Sequence, residues 1–133
     1  LTTSSWQVQP QGVYLITGGL GGIGLEVATW LAQQCQVQLI LTTRSSFPAP
    51  QQWSQWLQTH PKDDSTSIKI RRLQTIISLG SFVCVEQVDV GDFVAMSGLF
   101  ARVYAQHSHL QAIFHAAGVT KDGLLRSKSH QTL

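Results

Sequence analysis

The sequence predicts an α/β domain built on a doubly wound parallel sheet, and three observations carry that prediction. Short apolar runs rich in β-formers alternate with stretches whose apolar residues recur at helical spacing, in the order βαβαβαβ. The first run passes into the first helix through five glycines among seven residues, from Gly18 to Gly24. At 133 residues and 43% hydrophobic, the chain is long enough for one core and too short for two.

The elements follow in order. Leu1 to Gln11 is polar, with one Trp and one Pro, and reads as a linker into a domain spanning 12–133. Val13 to Thr17 is a buried strand, and Ile23, Val27, Trp30 and Leu31 then mark an amphipathic helix. Val37 to Thr42 is the second strand, followed by Arg44, Ser45, Ser46 and the breakers Pro48 and Pro50. Trp53, Trp56 and Leu57 predict a short helix ending near Pro61. A longer one runs from about Thr66 to Leu79, with Ile70, Leu73, Ile76 and Ile77 on one face and Gly80 as its stop. Phe82 to Val88 is the third strand, and Asp92 caps a helix whose stripe is Met96, Leu99, Phe100 and Val103. Leu110 to Phe114 is the fourth strand, ending in His115-Ala116-Ala117-Gly118. Right-handed crossovers would place the strands in the order 3-2-1-4. Leu124 to Leu133 reads as the start of another helix with no stop signal, so a C-terminally truncated domain is expected.

Composition excludes several classes. Charged residues make up 12%, and a net charge of +2 is too small for a nucleic-acid surface. Lys69, Arg71 and Arg72 are the nearest thing to a basic cluster, and helical spacing spreads them around a solvated face. Cys35 and Cys84 lie in apolar surroundings without metal-ligand spacing, so buried free thiols and no metal are expected. No leader precedes the first strand and no apolar run reaches ~18 residues, which points to a soluble, cytoplasmic protein with no membrane contact.

Thr17-Gly18-Gly19-Leu20-Gly21-Gly22-Ile23-Gly24 lies between a strand and a helix, the context that makes a glycine motif specific. The early glycines allow backbone angles that a Cβ would block and bring the chain close to a pyrophosphate. The later ones let the helix pack on the strand and aim its N-terminal amides at the anion. This is a Rossmann-type dinucleotide site. A site for NAD usually places a carboxylate about 20 residues further on, for the ribose 2′-OH. Between Val27 and Lys62 there is no Asp or Glu, and the second strand ends in Arg44-Ser45. A guanidinium beside a hydroxyl suits a 2′-phosphate, so NADPH is the expected cofactor. Asp89-Val90 ends the third strand, where the acid either accepts from the adenine amino group or closes a local turn. Ala116, Ala117 and Gly118 leave room for ribose and nicotinamide, and His115 before them reads as a packed histidine.

The run from Gly12 to Leu25 closely resembles the nucleotide-binding turn of ketoreductase domains in modular polyketide synthases, which are short-chain dehydrogenase/reductases. Phe114-His-Ala-Ala-Gly-Val119 and Lys121-Asp-Gly-Leu-Leu125 resemble that family's segment after the fourth strand. The Pro48/Pro50 stretch with Trp53 and Trp56 resembles its long connection after the second. The resemblance implies NADPH-dependent reduction of a β-ketoacyl thioester, carried on the phosphopantetheine of an acyl carrier protein, to the β-hydroxyacyl form. It implies the rest of the ketoreductase domain and synthase module as partners. The family's catalytic Tyr, Ser, Lys and Asn fall beyond residue 133, so no catalytic residue is assigned and this chain alone is expected to be inactive. Neither Tyr14, in the first strand, nor Tyr104, on a buried helix stripe, matches the catalytic context.

The subset of the family that fixes one alcohol configuration carries Leu-Asp-Asp after the fourth strand. Here the residues are Thr120-Lys121-Asp122, and only Asp122 matches, as a substrate-steering residue or a helix cap. Two other readings compete: a non-catalytic NADP-binding Rossmann module, and a short-chain reductase of a free small carbonyl. The intact glycine turn argues for retained cofactor binding, and the Trp53/Trp56 insertion argues against a free small substrate.

Overall fold

An apolar run closed by a threonine, Val13–Thr17, forms the first strand, β1, buried at every position. The elements after it are α1 (Gly22–Gln34), β2 (Gln38–Thr43), a 3-10 turn (Pro50–Gln52), α2 (Trp53–Thr59), α3 (Ser65–Ser78), β3 (Phe82–Gln87), α4 (Phe93–Gln106) and β4 (Ala112–His115). They belong to a computed structural model that describes residues 6–117. The expectations for Gly118, Asp122 and a helix from Leu124 lie outside those residues.

The four strands form one parallel sheet in the order β3-β2-β1-β4, the expected Rossmann-type arrangement. The central strands β1 and β2 are apolar on both faces because helices cover both faces, whereas the edge strand β3 is only half-buried. Tyr14, Ile16, Leu39 and Leu41 face α1, α2 and α3, where Leu25, Ala28, Leu31, Ile70, Leu73 and Ile76 complete one core. Val13, Leu15 and Ile40 point the other way, onto Leu99 and Val103 of α4. Register aligns the strand ends: Thr17 lies opposite His115, and Thr43 opposite Gln87. All four carboxyl ends therefore open on one edge, and the chain reverses its direction of travel across the sheet between β1 and β4. Ligands of open α/β sheets bind at such a switch point. Residues 6–11, read as linker, lie against this domain: Trp6 meets Tyr14 and Phe114 edge-on, and Gln9 N donates to the Tyr14 hydroxyl at 2.8 Å.

Several expectations need correction. β2 and β4 begin one and two residues later than the apolar runs suggest, and β3 stops one earlier, at Gln87. α1 buries Gly24, Leu25, Ala28, Leu31 and Ala32, so its inner face is the small-residue stripe at i, i+4, i+8 and not the Ile23–Trp30 side. The small residues let the helix approach the sheet closely, and Trp30 is left 46% exposed. Ile77 of α3 and Tyr104 of α4 are likewise exposed, one position off the buried stripe in each helix. Cys35 and Cys84 are free but only half-buried, and burial pushes the Cys84 thiol up from its ordinary value. Among the described residues, no helix is long and apolar enough to cross a membrane, and no group of three or more His, Cys, Asp or Glu is placed to hold a metal.

The start of α3 is fixed by Asp64. That carboxylate accepts from the Ser67 amide at 2.9 Å, the Ser67 hydroxyl at 3.0 Å and the Trp56 indole N–H at 2.9 Å. The indole, followed by the Ser67 amide, holds Asp64 below its ordinary value of 3.8. A depressed folded-state pKa stabilises the fold above the unfolded value and loses that contribution as pH falls through the folded one. Asp64→Ala is expected to lower the thermal midpoint at neutral pH and to shrink the loss on acidification below 3.8. Melts across that range check it, and an unchanged acid dependence would count against the cap.

Candidate functional site

The glycine turn is held from three sides before any ligand is considered. Gly19 N donates to Thr42 O at 2.9 Å, and Gly18 N donates to the Thr42 hydroxyl at 3.0 Å, tying the turn to the end of β2. Gly18 has φ +64°, the left-handed region, and a Cβ there would lie 2.6 Å from the Ala117 Cα. A Cβ on Gly19 would lie 2.6 Å from the Leu41 Cβ, and one on Gly24 would lie 2.3 Å from the Gly18 carbonyl oxygen. These three glycines are required by the protein's own packing. Gly18 takes the backbone angle a Cβ would block, as expected, and β4 and β2 are the elements that approach the early pair.

Gly21 and Gly22 are different. A Cβ on Gly22 would meet nothing within 4 Å, and one on Gly21 would meet only Gly18 O, at 3.4 Å. The absence of side chains there leaves open space over the start of α1. The first-turn amides of Gly22, Ile23 and Gly24 have no acceptor among the described residues, as expected where a helix begins. No acidic residue sits in that turn, so the helix dipole faces the space unopposed. The donor set fits the pyrophosphate of a dinucleotide.

A cleft of about 200 Å³ opens beside this turn. Gly18, Leu20, Gly21, Arg44, Val90 and Ala117 line it, six of the residues singled out from sequence. The walls also include Thr42, Thr43, Lys69 and Val88, which sequence reasoning missed. Thr42 and Val88 looked like ordinary strand residues, and Lys69 like a solvated lysine. Larger hollows of about 500 and 320 Å³ lie around Trp56–His60 and along β3, but neither contains the glycine turn or a cation. Size alone does not pick out the site.

The other singled-out residues among those described do not line the cleft. The Thr17 hydroxyl donates to Phe114 O at 3.5 Å, joining β1 to β4. Ser45 is exposed, and its carbonyl accepts from the Thr43 hydroxyl at 3.3 Å. The Asp89 carboxylate accepts from Gly91 N at 2.9 Å, the local-turn role foreseen as its alternative. Ala116 is buried, whereas His115 is exposed and not packed, with Nδ1 3.4 Å from the Thr17 hydroxyl. Tyr14 is fully buried in β1 and Tyr104 is exposed on α4, so neither reaches the cleft. Among the described residues the one ion pair is Arg102–Glu86, which leaves Arg44 and Lys69 unneutralised at the cleft wall.

Comparison with known proteins bears on what this geometry is for. The family model described as KR domain matches residues 12–133. The chain is 36% identical over 126 residues to one subunit of the phenolphthiocerol/phthiocerol polyketide synthase of Mycobacterium tuberculosis, across 92% of this chain and 6% of that one. It is 36% identical over 124 residues to polyketide synthase PksN of Bacillus subtilis, across 92% of this chain and 2% of that one. Among solved structures, an N-terminal ketoreductase from the macrolactin assembly line superposes with a TM-score of 0.67 at 32% identity, over 90% of this chain and 21% of that one. The chain therefore spans a small part of the length of each.

Proposed function

Because the chain belongs to the ketoreductase (KR domain) family of the short-chain dehydrogenase/reductase fold, we propose that it forms the cofactor-binding part of an NADPH-dependent ketoreductase in a polyketide synthase. The proposed substrate is a β-ketoacyl thioester on an acyl carrier protein, reduced to the β-hydroxyacyl form.

One observation carries the cofactor assignment. The cleft at the switch point combines a side-chain-free turn over free helix amides with a guanidinium, and among the described residues no carboxylate lines it. A carboxylate there would accept from a ribose 2′-OH and repel a 2′-phosphate; Arg44 does the reverse. In this reading Gly21, Gly22, Ile23 and Gly24 hold the pyrophosphate, and Arg44, with Ser45 beside it, holds the 2′-phosphate. Val90 borders the adenine, with Asp89 beside it in sequence, and Ala116, Ala117 and Gly118 border the ribose and nicotinamide. Thr17, Gly18, Gly19 and Leu20 shape the turn. Bound NADPH would supply the hydride, and the residues of this chain would bind and orient the cofactor.

The test uses the intact protein with a carrier-bound β-ketoacyl thioester. NADPH oxidation should accompany appearance of the β-hydroxyacyl product, with NADH a much poorer donor. Tight NADPH binding without turnover on any such thioester would instead favour a non-catalytic nucleotide module. Failure to bind NADPH would reject the proposal outright.

A further inference from the structure

The three basic residues of α3, alike in sequence, part company in space. Arg71 turns outward and donates to Lys62 O. Arg72 is half-buried and reaches α1, donating to the Thr29 hydroxyl at 3.0 Å and to Leu25 O at 3.3 Å. Lys69 lies one turn earlier on the same side of α3, since i and i+3 are neighbours on a helix surface. Both α1 and α3 return antiparallel to the strands on one face of the sheet, so they run parallel to each other. Moving one turn towards the start of α3 from Arg72 therefore leads from the body of α1 towards its beginning. That places Lys69 at the glycine turn, where it is half-buried and lines the cleft together with Arg44.

We infer that Lys69 is a second cation of the 2′-phosphate subsite, facing Arg44 from the helix side; this rests on the NADPH reading above. The charge arithmetic asks for one. A phosphate monoester carries about −1.5 to −2 at neutral pH, and a single guanidinium leaves roughly half of that uncompensated. Among the described residues neither cation is paired with a carboxylate, and none lines the cleft between them. Arg44 supplies a planar fork from the end of β2, and Lys69 supplies a point charge on a flexible stem, so the two can share one phosphate without competing for the same geometry.

Calorimetric titration of the intact protein with adenosine 2′,5′-bisphosphate and with AMP tests this without turnover. The wild type should prefer the bisphosphate. Lys69→Gln should weaken bisphosphate binding by roughly tenfold, the lower end of what loss of one charge-assisted contact costs, and leave AMP binding unchanged. Lys69→Arg should keep the preference. Lys69→Met retains the apolar stem and gives the same reading should glutamine disturb α3. Bisphosphate affinity unchanged in the Gln and Met variants, with the wild-type preference intact, would overturn the role of Lys69 and leave the cofactor assignment standing. Equal wild-type affinity for the two probes would remove the NADPH reading and the role of Lys69 with it.

Discussion

Gly24→Ala is expected to cost roughly 3 kcal/mol of folding stability, at the upper end of what an added methyl does in a packed site. The added Cβ would lie 2.3 Å from the Gly18 carbonyl oxygen and 2.7 Å from the Gly19 Cα. Both are backbone atoms of a turn already fixed by two hydrogen bonds donated to Thr42, so neither can swing aside as a flexible side chain would. Relief requires moving α1 off the sheet, and α1 carries Leu25, Ala28 and Leu31 into the core. The thermal midpoint should fall by on the order of 10 °C with no ligand present. Gly22→Ala is the matched control. Its methyl would meet no protein atom within 4 Å, so the midpoint should hold or rise slightly, while NADPH affinity drops as the methyl occupies the space over the helix start. If Gly24→Ala melts like the wild type, α1 does not pack on the turn as described.

The contrast between these two glycines also shows what the sequence could and could not reveal. Strand existence and order were legible because a buried parallel strand needs an unbroken apolar run, and Val13–Thr17 and the runs after it supply that. The place of the cleft beside the glycine turn followed from the same facts, since strand ends and that turn must meet at the switch point. Which glycine serves packing and which faces open space was not legible, because it depends on how closely Ala117 and Leu41 approach. The inner face of α1 was misread for a related reason: Gly24, Ala28 and Ala32 bury more completely than the larger Ile23 and Trp30, and hydrophobicity alone favours the larger residues. Lys69 was invisible because its position is set by α1–α3 packing, which no local pattern encodes. Asp89 was ambiguous in the sequence because an acid at a strand end reads as a ligand or as a turn or cap acceptor, and its carboxylate accepts from the Gly91 amide.

Arg44→Ala is expected to weaken NADPH binding by roughly ten- to a hundredfold and to leave NADH binding nearly unchanged. The size follows from a hydrogen bond to a charged group, worth roughly 1.5–3 kcal/mol, with each tenfold in affinity equal to about 1.4 kcal/mol. The effect should be selective because the residue's backbone is held independently of its side chain. Arg44 O accepts from the Gln87 side chain at 3.3 Å, anchoring the end of β2 to β3, and alanine keeps that bond. Truncation therefore removes the guanidinium without releasing the loop or the glycine turn that both cofactors share. The loss should shrink as salt is raised, because an exposed cation and a phosphate are screened over about 8–10 Å at ordinary ionic strength. With Lys69 still in place, some preference for the phosphorylated cofactor should survive in Arg44→Ala and vanish in the double variant with Lys69→Gln. Equal losses for NADPH and NADH in the single variant would mean that Arg44 supports the fold of the cleft and does not discriminate between the two. A loss insensitive to salt would point the same way.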